Sequence, residues 1–225
     1  MPTAMESTMK NAPTMRQMMV WTGLLLAQAA SAQGLSGLPD AVTGYDPREV
    51  RLLPPFCPFT QDFRAHIPGG GNRDEIDKWK SVLGPTYEHM HHYCWGLMKM
   101  NRAVLFIRGE KELKVSYLVD SNKEFDYVID RAPIDFILLP EIVTRKAENL
   151  VRLGRGPAAI VEFSRAIDMK PDYWPPYAHM SDYYRQTGDK TKAREVLEQG
   201  LARAPDADPL KRRLAELGSG QRSKE

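Results

Sequence analysis

The stretch LGRGPAAIVEFSRAIDMKP, residues 153–171, is answered by TGDKTKAREVLEQGLARAP, residues 187–205. Gly154 and Gly188 stand 34 positions apart, and so do Ala159 and Ala193, Ala166 and Gly200, and Pro171 and Pro205. A fixed period of this length is the signature of a repeat architecture. The residue types fit one physical unit. A glycine allows the tight turn between two helices, small residues let the second helix approach the first, and a proline stops the second helix. No alternating strand pattern of useful length accompanies them, so the expected fold is all-α.

The second-helix pattern Ala159-x3-Phe163-x2-Ala166-x4-Pro171 returns as Ala193-x3-Leu197-x2-Gly200-x4-Pro205, with Tyr184 in the preceding first helix. These residues resemble the tetratricopeptide repeat family. That family's first-helix tryptophan is replaced here by Val143 and Tyr177. A more degenerate unit lies upstream, with a long first helix expected over Thr86–Ile107. Its second helix would run through Ser121-x3-Phe125-x2-Val128-x4-Pro133, after an insertion of about six residues near Gly109–Tyr117, judged against the family spacing. The resemblance implies a helix-turn-helix solenoid of about three repeats over residues 96–207. Residues 73–95 would lead into it as helices, the first capped by Asn72 or Asp74 and ended by Gly84-Pro85. At the other end, Asp208 can cap a last helix to Leu217 with a polar outer face, and residues 218–225 read as a disordered tail.

The N-terminus reads differently. Lys10 and Arg16 precede an apolar run, Met18–Ala30, and small residues follow at Ala30-Ser31-Ala32. This is the pattern of a secretory signal over residues 1–32, cleaved to leave Gln33. The run is shorter than the roughly 20 apolar residues of a membrane span. The expected location is therefore periplasmic or extracellular, with no membrane span after cleavage. Residues 33–72 carry Pro39, Pro47, Pro54, Pro55, Pro58 and Pro68 and then Gly69-Gly70-Gly71, which exclude a long helix. Val50, Leu52, Leu53, Phe56, Phe59 and Phe63 are too apolar for a free linker. They predict an irregular arm docked on the helical body.

The chain is 42% hydrophobic and 27% charged, which permits a packed core. Its net charge of +2 is too small to favour nucleic acid. Residues 87–96, Tyr-Glu-His-Met-His-His-Tyr-Cys-Trp-Gly, are the most unusual segment. His89 and His92 share a helix face and could reach a copper or zinc ion, so a periplasmic metal-binding protein using helix 87–100 is the alternative reading. No third ligand continues that stripe, where Gly96, Lys99 and Ala103 follow, and no HExxH or CxxCH occurs. No cofactor is expected. At 100° per residue Cys94 lies opposite Ala103, which the family pattern turns toward the second helix. Cys94 would then face the arm carrying Cys57. Two cysteines in an oxidising compartment predict a Cys57–Cys94 disulfide, with two buried thiols as the alternative.

Catalysis has little support, and the one arrangement that residue types offer is a thiol-dependent enzyme pairing Cys94 with His91 or His92. GxSxG and nucleotide-binding glycine loops are missing, and a mid-helix cysteine has no helix N-terminus to activate it. The resemblance implies instead a protein or peptide partner in a groove lined by the first helices. Those helices offer Lys99, Arg102, Glu141, Thr144, Glu148, Arg152, His179, Asp182, Tyr183 and Arg185. The expectation is a protein–protein interaction scaffold of the bacterial envelope, in a secretion, polysaccharide-export or surface-fibre assembly.

Overall fold

The computed structural model describes residues 46–222, with side chains to residue 218. The expected signal, the Gln33 terminus and the first part of the arm lie outside the described residues. The arm is more ordered than its prolines suggested. Asp46 caps a one-turn helix, α1 (Pro47–Val50), by accepting from the Arg48 amide at 2.8 Å. A 3-10 turn, Cys57–Phe59, and a second short helix, α2 (Gln61–Arg64), follow. Proline supplies the pre-set φ at such helix starts and prevents their elongation.

Asn72 caps α3 (Arg73–Leu83), and Gly84 ends it at φ +58, a conformation that glycine adopts without a Cβ penalty. The long helix expected from Thr86 is divided in three. Residues Gly84–His89 are 3-10, α4 covers Met90–Asn101, and Arg102–Phe106 form a π turn closed by the Ile107 amide on the Arg102 carbonyl. The insertion expected between α4 and its partner is no loop. It is the first two turns of a longer helix, α5 (Lys111–Ile129).

Four further helices complete the repeats: α6 (Leu139–Arg152), α7 (Gly156–Met169), α8 (Pro175–Gln186) and α9 (Lys190–Arg203). The last, α10 (Asp208–Arg222), runs past the expected stop at Leu217. Helices α4 and α5, α6 and α7, and α8 and α9 pack as pairs, and each pair stacks on the next. Gly154 and Gly188 make the turns inside the pairs at φ +73 and +90. Among the described residues there is no strand, so the fold is an all-α helix-turn-helix solenoid.

The small residues are packing requirements. Ala159, Ala166 and Ala193 are fully buried. A Cβ on Gly200 would stand 2.8 Å from Leu210 and 2.9 Å from Tyr177, and one on Gly96 would stand 2.4 Å from Phe125. Ser121, in the alanine place of the degenerate repeat, donates to the Gly96 carbonyl at 2.7 Å, so its hydroxyl is satisfied inside the core. Three apolar clusters result. One runs from the arm through α6 and includes Ala166, a small one holds Ala147, Leu150, Ala159 and Phe163, and the last belongs to α8–α10.

The arm docks through ring contacts, a hydrogen bond, a disulfide and a buried ion pair. Phe56 packs on Trp79 and Tyr93 and Phe63 on Trp95, with centroids 5.3–6.3 Å apart. Tyr87 donates its hydroxyl to the Phe59 carbonyl. Cys57 and Cys94 are disulfide-bonded, with Cα atoms 5.7 Å apart and both side chains fully buried. Glu49 takes the Arg102 guanidinium in a two-pronged pair at 2.6 and 2.9 Å, each partner only 2% exposed. Among the described residues no helix is long and apolar enough to cross a membrane.

Candidate functional site

Stacking α6 and α8 side by side leaves a cleft of about 260 Å³ between them. Its walls are Val151 and the stem of Arg152 from α6, buried Phe163 from α7, and His179, Asp182, Tyr183 and Gln186 from α8, with Glu148 behind. Tyr183 sits over Gly156, where a Cβ would come within 2.4 Å of its ring. The glycine that opens α7 is therefore what seats this tyrosine. The His179 ring lies parallel to Phe163, with planes 11° apart and centroids at 6.2 Å.

The charges around the cleft satisfy one another. Glu148 is 6% exposed and takes Arg145 at 2.9 Å, Arg152 at 3.3 Å and His179 at 3.3 Å. Asp182 takes Arg213 of α10 at 3.0 Å and Arg185 at 3.6 Å. Burial works against the Arg145 charge, but Glu148 and Glu141 outweigh it and hold the guanidinium above its ordinary range. Burial pushes the His179 imidazole below its usual value, and Glu148 only partly opposes this. Burial and the neighbouring His92 lower His91 in the same way, against the pull of Asp62.

The two lowered histidines have a consequence for acid stability. The unfolded chain binds their protons near the ordinary value of 6.5, while the folded chain resists them. Their contribution is fully present above that value and is lost as pH falls below it toward the folded values. The expected result is a melting temperature that drops between pH 7.5 and 5.5. The drop should be smaller in a His91→Gln/His179→Gln variant, and an equal drop in both proteins would remove the histidines as its cause.

Of the residues expected to meet a partner, Glu148, Arg152, His179, Asp182 and Tyr183 gather at this one cleft. Arg185 stands exposed beside it, while Glu141, on the first turn of α6, accepts from the Tyr93 hydroxyl at 2.8 Å. Lys99 lies on α4 and donates to Glu124 at 2.7 Å. Two expectations are corrected. Arg102 is buried against Glu49, and Thr144 is 1% exposed with its hydroxyl on the Pro140 carbonyl, so a partner reaches neither. Sequence reading passed over Arg145, although its spacing from Glu141 and Glu148 is that of helical ion pairs. Arg213, expected on the polar outer face of the last helix, instead reaches back to Asp182 at the cleft, a contact with no local signal.

The histidine-rich helix has other occupations. His92 stacks on Tyr127 at 3.6 Å and shares a hydrogen bond with Glu124 at 2.6 Å. His89 meets the same tyrosine edge-on, and the Cys94 sulfur is taken by the disulfide. Among the described residues no group of three or more His, Cys, Asp or Glu side chains converges as a metal site would require.

Residues 174–217, which are α8, α9 and most of α10, match the tetratricopeptide repeat family. No curated protein matches the chain. Repeats of this kind suggest a protein–protein interaction scaffold, and the preceding pairs continue the same packing.

Proposed function

We propose that the chain is a non-catalytic scaffold that holds a segment of another protein in the α6–α8 cleft. We further propose that it is exported and serves an envelope assembly of the secretion, polysaccharide-export or surface-fibre kind. The observation that carries the binding reading is the cleft itself. The first helices of successive repeats leave a cavity, and side chains from α6, α7, α8 and α10 build or brace it. Stacked repeats use such surfaces to hold extended partners. Export is supported by the charged, apolar and small-residue order of residues 10–32. The buried Cys57–Cys94 bond supports it too, because disulfides persist in oxidising compartments.

A photo-crosslinking residue placed at Gln186, in the cleft, and separately at Glu198, on exposed α9, tests the binding reading. Gln186 is expected to give one dominant protein adduct and Glu198 none. The same adducts from both positions would sink the cleft as the binding site. Intact-mass measurement on the chain from its native compartment tests export. The expected N-terminus is Gln33, and a retained Met1 would end that part of the proposal.

A further inference from the structure

We propose that the α6–α8 cleft receives a single uncharged aromatic side chain, the anchor of an extended segment of the partner. This rests on the scaffold reading above and specifies what the cleft takes. Size comes first. At about 260 Å³ the cavity falls below the roughly 300–1,000 Å³ typical of small-molecule pockets, and it leaves room for one large side chain.

Charge decides between the remaining side chains. Both carboxylates at the cleft already hold cations: Glu148 holds Arg145 and Arg152, and Asp182 holds Arg213 and Arg185. An incoming lysine or arginine would have to displace one of these cations, whereas an incoming carboxylate would find only the outward donors of Arg152 and Arg185, which are more than a third exposed and screened by water. Displacing a bound cation trades one ion pair for another and still requires desolvating the newcomer. Beside these ion pairs the cleft also offers apolar surface. Val151, the His179 ring backed by fully buried Phe163, and the Tyr183 ring seated on Gly156 form walls suited to a planar group. Aromatic side chains gain most from such walls, through buried area and offset or edge contacts. The depressed affinity of His179 for protons keeps that wall neutral near pH 7. Arg152 and Gln186 at the mouth can donate to a tyrosine hydroxyl or to the backbone of the bound segment.

A random twelve-residue peptide display library selected on the intact chain tests this. Winners are expected to share Tyr, Trp or Phe at one position, with no common charge. Replacing that residue by serine in a synthetic winner should weaken binding roughly tenfold or more in fluorescence anisotropy. Gln186→Trp fills the mouth of the cleft and should abolish binding. Arg152→Trp, on α6, serves as a second block, and circular dichroism verifies that each variant stays folded. Winners that share Asp or Glu, or Lys or Arg, overturn the proposal. So do aromatic winners that bind both blocked variants as well as the original, and so does a library that shows no enrichment. Crosslinks from Gln186 alongside charged winners would remove the aromatic anchor and leave the scaffold standing. Absent crosslinks would remove the scaffold reading itself.

Discussion

Arg102→Met is expected to lower the unfolding free energy by about 3–5 kcal/mol, read as a fall in the urea midpoint. The methionine follows the path of the arginine stem, so little packing volume changes. What is lost is the guanidinium that satisfies both Glu49 carboxylate oxygens, and the carboxylate, buried in the native chain, is then left without its counter-ion. Removing one partner of a buried pair costs far more than the net worth of the pair. The double replacement Glu49→Leu/Arg102→Met should therefore recover most of the loss. A cost below about 1 kcal/mol for Arg102→Met alone would mean that water reaches Glu49, and that the arm is held less closely than the contacts indicate.

Cys57→Ser and Cys94→Ser should each cost about 3–4 kcal/mol, from the loop entropy of a closure across 37 residues. The double change should cost no more than either single one, because the same bond is removed in every case. Non-reducing peptide mapping should yield one linked pair and no alkylatable thiol in native protein. In all three variants the arm to Gly71 should become sensitive to protease while the repeats from Glu141 stay protected as a separately stacked unit. Full alkylation of both cysteines in untreated protein would refute the bond. Additive losses would show that the two serines also damage packing around Tyr93 and Met90.

The repeat was legible because each of its markers has one physical solution. Gly154 and Gly188 need positive φ, and Ala159, Ala193 and Gly200 stand where no larger side chain fits. The Cys57–Cys94 pairing was legible for a similar reason, since helix geometry aimed Cys94 away from its own partner helix. Helical periodicity could not show where Arg102 would go. Its burial depends on Glu49, 53 residues earlier, and no local pattern announces a counter-ion so far away. Thr144 was misplaced for a subtler reason. Its hydroxyl bonds the carbonyl four residues back, which lets a polar residue sit in a buried stripe. Glu148 was placed correctly on α6, yet its depth follows from three neighbours, of which only the donors Arg145 and Arg152 are on the same helix and His179 stands on α8. The division of the long helix at the π turn left no composition signal at all.

The first apolar cluster also sets an order of events during synthesis. In a chain made from its N-terminus, Cys57 and Cys94 are both in place before α6 adds Leu139, Ile142 and Val143 to the apolar cluster that the two sulfurs belong to. Oxidation can thus precede enclosure. In the folded chain neither sulfur offers a surface to an attacking thiolate, and exchange requires such access. The bond then behaves as a one-way step, made while the chain is still open and out of reach of reductants thereafter.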